Sequence, residues 1–240
     1  AGLGKQMQLQ QLHVKNGQIE VILPDKSKFN LYGANFSILG EKLVQSTRIA
    51  DIQEALQTVY FTRGVYKNGN TSIQLQDIRF SGTDNKLLAK TVTYQDKSGT
   101  HITAGNVSID AFSFDEKLHN IVINQLSWSN ASASIINNAA QQDKAINRFT
   151  IQQVNGNNTQ LNMVNKGSAI KAYLDKISCS RIANTGQQNG LVINGLVTSG
   201  KDLSLSTDDQ KLVIGLFDIK DGQASTIRDI SFSSISPDDS

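Results

Sequence analysis

The sequence predicts an all-β protein, built as one elongated, curved antiparallel sheet of repeated hairpins that forms an open groove or a solenoid-like body. Apolar and polar residues alternate over short runs, as in Leu12–Val14 and Phe149–Ile151, and this is the period of a half-buried strand. Segments rich in Asn and Gly, such as Asn16-Gly17 and Asn155-Gly156, separate these runs and are interpreted as turns.

The alternating runs predict roughly fifteen strands at a spacing of about 8–15 residues, which favours a meander, a barrel or a solenoid over α/β layers. No segment has the composition of a linker, so we expect one elongated domain over residues 1–240. The predicted strands are Met7–Val14, Gln18–Leu23, Lys28–Leu31, Ala34–Leu39, Ser72–Phe80, Lys86–Tyr94, His101–Ile109, Asn120–Trp128, Ile146–Val154, Thr159–Val164, Ser168–Arg181, Leu191–Thr198, Lys201–Leu205, Lys211–Ile219 and Ser225–Ile235.

One segment, residues 47–60, has the spacing of a helix instead. Ser46 is a suitable N-cap, and Ile49, Ile52, Leu56 and Val59 follow at intervals that place them on one helical face. The pattern predicts a short amphipathic helix that either covers the end of the sheet or connects two strands at the surface.

The composition restricts the classes of partner. Apolar residues make up 38% and aromatic residues 6% of the chain, a profile that suits a sheet with one solvated face. The formal net charge is +2 and the charges are scattered, so we expect no nucleic-acid partner. The lone Cys179 excludes an internal disulfide, and its place in an alternating run predicts a small buried side chain.

The sequence contains no recognisable catalytic or metal-binding motif. His13, His101 and His119 lie far apart and outside any metal-ligand spacing, so we expect no metal, no cofactor and no enzyme activity. The adjacent acids Asp115-Glu116 and Asp208-Asp209 fall in segments interpreted as turns. A polysaccharide-active β-helix enzyme built around Asp208 and Asp209 is the least favoured alternative.

The repeated strand unit resembles that of the AsmA-like family of bacterial envelope proteins. The resemblance covers most of the chain and consists of alternation and turn placement. The matching segments are Leu12-x-Val14-x-Asn16-Gly17-x-Ile19-x-Val21, Ile121-x-Ile123-x-x-Leu126-x-Trp128-x-Asn130-Ala131-x-x-x-Ile135 and Ser225-x-Ile227-x-Asp229-Ile230-x-Phe232.

This resemblance implies a periplasmic or envelope location, an upstream membrane anchor outside this sequence, and a role in lipid transport or outer-membrane homeostasis. The sequence begins at Ala1 without a start Met, and we expect it to be a piece of a longer envelope protein, with other envelope proteins as further partners. Anchoring by the upstream segment would account for membrane association.

A sheet with one continuous apolar face supplies the dry trough that an acyl chain needs, since each buried methylene contributes roughly 0.8 kcal/mol. Lipid or fatty-acyl chains are therefore the predicted ligands. A surface adhesion or scaffold module with a closed β-sandwich or β-helix is the alternative, and the same residues would then form an ordinary core. The predicted trough residues are Ile73, Leu75, Ile102, Val107, Ile121, Ile123, Leu126, Ile170, Leu174, Val192 and Val213.

Overall fold

A computed structural model describes residues 11–22, 27–39, 56–114, 120–137, 148–184 and 191–235 of the chain. Fourteen strands in a single sheet account for most of these residues, which include no helix and thus none that could span a membrane. The strands are β1 (Gln11–Ile22), β2 (Lys28–Leu39), β3 (Leu56–Asn68), β4 (Thr71–Ser81), β5 (Lys86–Gln95), β6 (His101–Phe114), β7 (Asn120–Asn137), β8 (Arg148–Asn165), β9 (Ser168–Cys179), β10 (Arg181–Asn184), β11 (Leu191–Asn194), β12 (Val197–Thr207), β13 (Gln210–Lys220) and β14 (Thr226–Ser234).

The strands follow one another through the sheet almost in chain order. The path runs from β1 to β9 and then through β12, β13 and β14, so that β1 and β14 are the two edges of an open, curved sheet. This architecture confirms the predicted all-β curved sheet. All neighbours are antiparallel except β7 and β8, which are parallel, so the sheet is mixed where the sequence predicted only hairpins.

The short strands β10 and β11 extend the strands beside them. Strand β8 pairs with β9 at Val154 and with β10 at Ile151, so β9 and β10 form one line that is interrupted at Ser180. β11 and β12 form a second line in the same way, interrupted at Gly195. The amide N–H and the hydroxyl of Ser180 both donate to the Asn194 carbonyl, at 3.0 and 3.1 Å, and hold the two interruptions together.

The predicted helix over 47–60 is wrong at its carboxyl end, because β3 begins at Leu56. Val59 and Phe61 alternate onto one face of the sheet, where both are buried, and β-branched and aromatic residues suit such a position. Residues 47–55 lie outside the described part of the chain.

Several predicted breaks between strands are continuous strand in the structure. Asn16-Gly17 lies inside β1, the segment around Gly33 inside β2, and Asn155–Asn158 inside β8. The predicted strands on either side of each segment are therefore one strand, and the same holds for residues 198–201 in β12. Gly69-Asn70, in contrast, is a turn between β3 and β4.

Candidate functional site

An eight-residue pattern recurs along the strands and decides which side chains share a face. It reads apolar–x–apolar–x–x–apolar–x–apolar, with small residues allowed at the apolar positions. The pairing registers place positions one, three, six and eight on one side of the sheet, the apolar face, and the others on the polar face. The copies are residues 29–36, 59–66, 73–80, 87–94, 102–109, 126–133, 154–161, 172–179, 198–205, 212–219 and 225–232, and Val14–Ile19 in β1 follows positions three to eight.

The apolar face carries no charged residue at any of these pattern positions. Its few polar groups have partners: the Trp128 Nε1–H donates to Thr159 Oγ1 at 3.0 Å, and Thr198 Oγ1 donates to the Lys176 carbonyl at 3.0 Å. The ion pairs among the described residues, such as Lys86–Asp110 and Lys28–Glu20, lie on the polar face. The sheet therefore has one continuous uncharged side.

The buried hydrophobic residues lie on the apolar face, with Val65 and Ala183 as exceptions. All described strands belong to one layer, so among the described residues these side chains are screened by their lateral neighbours. Such mutual screening is expected on the side toward which a sheet curls. The closed-sandwich alternative predicted a second sheet, which the described residues do not form.

Two packed clusters occupy the apolar face. The first joins β2, β3 and β4 and consists of Ala34, Val59, Phe61 and Ile78, with Leu31, Phe36, Leu75, Phe80 and Leu87 among the residues packed against it. The second joins β9 and β13 through Ala172, Leu174, Ile214 and Phe217, with Ile177, Leu203 and Leu212 around it.

The apolar face is open toward β14. Ile227, Ile230 and Phe232 of β14 are 46%, 61% and 66% exposed, whereas Ile214 and Phe217 one strand inward are 8% and 5% exposed. A hollow of about 290 Å³ lies at this end, lined on the apolar side by Ile170, Leu205, Leu212 and Phe232. The exposed large apolar-face residues of the last four strands are Ile193, Leu205, Ile219, Ile227, Ile230 and Phe232.

A larger hollow of about 1140 Å³ lies on the polar face across β7, β8, β9, β12 and β13. Lys171, Lys201 and Lys211 surround it, and serine and amide side chains supply much of its lining. The Lys201 ammonium lies 5.3 Å from the centre of the Tyr173 ring. This surface is polar and basic, so it does not suit an acyl chain.

The structure places most of the predicted trough residues together on the apolar face. These are Ile73, Leu75, Ile102, Val107, Ile121, Ile123, Leu126, Ile170 and Leu174, all buried or half-buried. Ile123 and Leu126 are three residues apart and would lie on opposite faces of a regular strand. They share a face because the β6–β7 pair is irregular near Ala111, whose φ is 49°, and Ile121 lies on the same face as Ile123. Ile123 pairs with Phe112, and the Phe112 ring lies 6.0 Å from that of Phe80 on the apolar face.

Val192 and Val213 lie on the other side of the sheet. Val213 pairs with Ser204 and Ser231, and Val192 pairs with Ala183 and is 41% exposed. Each sits in a run of consecutive apolar residues, Leu191–Ile193 and Leu212–Ile214, in which alternation gives no indication of the inward residue. Their assignment to a trough is not supported by this geometry.

Sequence reasoning missed a row of strand irregularities that crosses the whole sheet. The fifth pattern position has a left-handed backbone, with φ between 49° and 62°, at Asn16, Gly33, Asp77, Asn106, Asn130, Asn158, Asp202 and Asp229. Two successive residues then point to the polar face, which is the geometry of a β-bulge. We call this line the bulge row. Asn, Asp or Gly directly before the second apolar–x–apolar run was the available signal, because these residues tolerate a left-handed backbone best.

Polar contacts follow the bulge row along the polar face. The Tyr60 hydroxyl donates to Asp77 Oδ1 at 3.0 Å, Asn106 Nδ2 donates to Ser129 Oγ at 2.9 Å, and Asn158 Nδ2 donates to Asn130 Oδ1 at 3.3 Å. The hydrogen bond to Asp77 raises the pKa of Tyr60 above its usual value. The bulge row is thus a structural feature of the polar face.

Reactive groups are few among the described residues. Cys179 is buried, as predicted, and burial raises the pKa of its thiol, which keeps it protonated and unreactive. No cluster of three or more His, Cys, Asp or Glu side chains lies close enough to hold a metal in the described ranges. Asp208 and Asp209 occupy the exposed connection between β12 and β13.

Comparison with known proteins identifies no family for this chain. No protein-family model matches it, and no curated protein matches it. The resemblance to AsmA-like proteins stays a prediction from the sequence.

Proposed function

We propose that this chain is a non-enzymatic binding protein of the bacterial envelope that holds lipid acyl chains on the apolar face of its sheet. The observation that carries the proposal is a face of eleven successive pattern copies without a charged residue, open at the β12–β14 end. Transport or outer-membrane homeostasis and a periplasmic location are what the AsmA-like resemblance adds.

The binding region of this proposal is the open end of the apolar face. Leu205, Ile219 and Phe232 are 36%, 36% and 66% exposed there, so an acyl chain that lies across β12, β13 and β14 replaces water on surfaces that are already apolar. Retention follows from roughly 0.8 kcal/mol for each methylene that is buried. Such a surface recognises length and shape, so we expect several fatty acids and phospholipids to bind.

Native mass spectrometry of the purified protein, with organic extraction of what accompanies it, is the first test. Co-purifying fatty acid or phospholipid supports an accessible trough. A mass that remains that of the bare chain after incubation with oleic acid contradicts lipid binding and favours the scaffold alternative.

A matched pair of leucines tests the face itself. Leu205 on the apolar face of β12 and Leu216 on the polar face of β13 are 36% and 48% exposed, so substitution of either by Glu changes an exposed leucine in the same region. We expect Leu205→Glu to weaken binding of a fluorescent fatty acid by about tenfold or more, because a carboxylate enters the apolar surface. Leu216→Glu leaves binding within about twofold. Equal losses in both variants contradict the assignment of the face.

A further inference from the structure

Strand β14 lies at one edge of the sheet. All of its residues, Thr226–Ser234, are exposed, and it pairs only with β13 within the described part of the chain. Ile227, Ile230 and Phe232 are 46%, 61% and 66% exposed although they occupy apolar-face positions. The strand contains no proline, so every residue on its outer side keeps the backbone N–H that pairing with another strand needs.

One register rule applies to most pairs of neighbouring strands in the sheet, and two copies of β14 can pair with each other in the same register. In most antiparallel pairs, position three of one pattern copy lies opposite position six of its neighbour, as Leu75 lies opposite Val92 and Phe217 opposite Ile227. Position four therefore meets position five, except in β6–β7, where both strands are bulged and Gly105 lies opposite Ser129. The rule is symmetric, so two identical strands obey it when they run antiparallel.

Applied to two copies of β14, this register brings complementary groups together. Ile227 lies opposite Ile230 of the second copy on the apolar face, and Arg228 lies opposite Asp229 of the second copy on the polar face. Twofold symmetry produces each of these pairs twice. Among the described residues neither Arg228 nor Asp229 takes part in an ion pair, and opposite charges directly across an antiparallel pair are favourable.

The backbone of β14 is compatible with this arrangement. Asp229 has a φ of 57°, so Arg228 and Asp229 both point to the polar face. Because of this bulge, the register that places Ile227 opposite Ile230 keeps the apolar faces of both copies on the same side of the sheet. In the interior pair of β6 and β7, Asn106 and Asn130 are both left-handed, and the register shifts locally so that Gly105 lies opposite Ser129. The strands still pair antiparallel on both sides of this point, and Asn106 Nδ2 donates to Ser129 Oγ, which is a contact between positions five and four. The Asp229 carboxylate lies over Gly215, on the β13 side of the strand, so an arginine side chain from the opposite strand has to extend over β14 to meet it.

We propose that β14 is a dimerisation edge at which two copies of this chain pair antiparallel about a twofold axis. The two 14-stranded sheets then form one continuous sheet with a single apolar face. The dimer covers the edge and brings the two open ends of the apolar face side by side. This inference rests on the edge and its register and is independent of lipid binding.

Charge exchange at the paired positions is the test. Arg228→Asp places two aspartates opposite each other across the twofold axis, and Asp229→Arg places two arginines opposite each other. We expect wild type to sediment as a dimer and each variant alone to dissociate at least tenfold more readily. An equimolar mixture of the two variants restores the dimer as a heterodimer, because each acidic pair then faces a basic pair. Arg79→Asp, the same change at an exposed position on the polar face of β4, leaves the dimer intact.

Cysteine cross-linking supplies a second readout that does not depend on charge at the left-handed Asp229. Ile227→Cys and Ile230→Cys chains, mixed and mildly oxidised, are expected to form an intermolecular disulfide in higher yield than either variant alone. A wild-type chain that sediments as a monomer at all concentrations overturns the proposal. A dimer that survives both charge substitutions, or a mixture that restores nothing and does not cross-link, overturns it as well.

Discussion

The two ends of the apolar face use the same residue pattern and differ in how well it is covered. Near the amino-terminal edge, Ala34, Val59 and Ile78 are 0%, 4% and 3% exposed, and the surrounding side chains of β2–β5 pack against them. At the carboxyl-terminal edge, Ile230 and Phe232 occupy equivalent positions and are 61% and 66% exposed. Position in the pattern selects the face, while neighbours on both sides decide the burial.

This difference assigns separate roles to the two ends. A one-layer sheet has no second layer among its described residues to cover its apolar side chains, so stability depends on lateral contacts and is concentrated where these are most complete. The β2–β5 region is therefore the stabilising core, and the β12–β14 region keeps the apolar surface that a lipid or a second chain can use.

Removal of a large side chain is expected to separate the two ends most clearly. Phe61→Ala in the amino-terminal cluster lowers the free energy of unfolding by about 3 kcal/mol, because it removes a buried ring and leaves a cavity. Phe232→Ala, the same truncation at the open edge, changes it by less than about 0.5 kcal/mol. Urea unfolding followed by circular dichroism measures both, and equal losses contradict the difference in packing.

The next largest effect is expected where the carboxyl-terminal half is packed most closely. A methyl group at Gly200 would collide with the Tyr173 carbonyl oxygen and lie 2.8 Å from the Phe217 ring. We expect Gly200→Ala to destabilise the protein by about 1–3 kcal/mol, since the backbone of β9 cannot move aside easily. Ser199→Ala, the neighbouring change on the polar face, is the control. A stable Gly200→Ala protein contradicts tight packing next to the open edge.

The bulge row gives a third comparison, now between two adjacent residues of β4. Asp77 has a φ of 49°, and a β-branched side chain in that conformation is strained, so Asp77→Val lowers the free energy of unfolding by about 1–2 kcal/mol. Gln76→Val, one residue earlier at an exposed strand position, is neutral or slightly stabilising. Asp77→Asn retains the left-handed preference and is expected to lie close to wild type in the same urea titrations.

The bulge row also explains how much of the structure the sequence could predict. Alternation correctly indicated an all-β sheet and placed residues such as Leu75 and Leu174 on the apolar face. Asn16-Gly17 and Asn155-Gly156 were interpreted as turns because a turn and a bulge both need residues that accept a positive φ. The local sequence indicates a preference for a positive φ, but it does not indicate whether the chain reverses direction after that residue.

The location of Val192 and Val213 on the polar face has a related physical reason. Alternation identifies a face only where polar residues interrupt the apolar ones, and both valines lie within apolar triplets. The pairing partners resolve the choice, since Val213 lies opposite two serines. Long-range register is information that a single strand does not contain, and the same limit applies to the parallel β7–β8 pair.

The smallest effect is expected at the hairpin between β5 and β6, where Asp96 organises the turn. Its Oδ1 accepts hydrogen bonds from the Ser98 N–H at 2.8 Å and the Thr100 N–H at 3.2 Å, and its Oδ2 accepts one from the Tyr94 hydroxyl at 3.1 Å. Burial opposes ionisation, but the hydrogen bonds from Ser98, Tyr94 and Thr100 outweigh it and lower the pKa of Asp96. The ionised carboxylate is therefore the form that the fold favours.

A lowered pKa in the folded state contributes stability above the pKa of the unfolded chain, and this contribution is lost as the pH falls through the folded value. We expect Asp96→Asn to cost about 0.5–1 kcal/mol at pH 6 and the gap to wild type to shrink below about pH 4. Asp208→Asn, which removes a carboxylate from the exposed β12–β13 connection, is the control and is expected to lie within about 0.5 kcal/mol of wild type at pH 6. A gap at Asp96 that grows on acidification would mean that the turn is stabilised by the protonated acid.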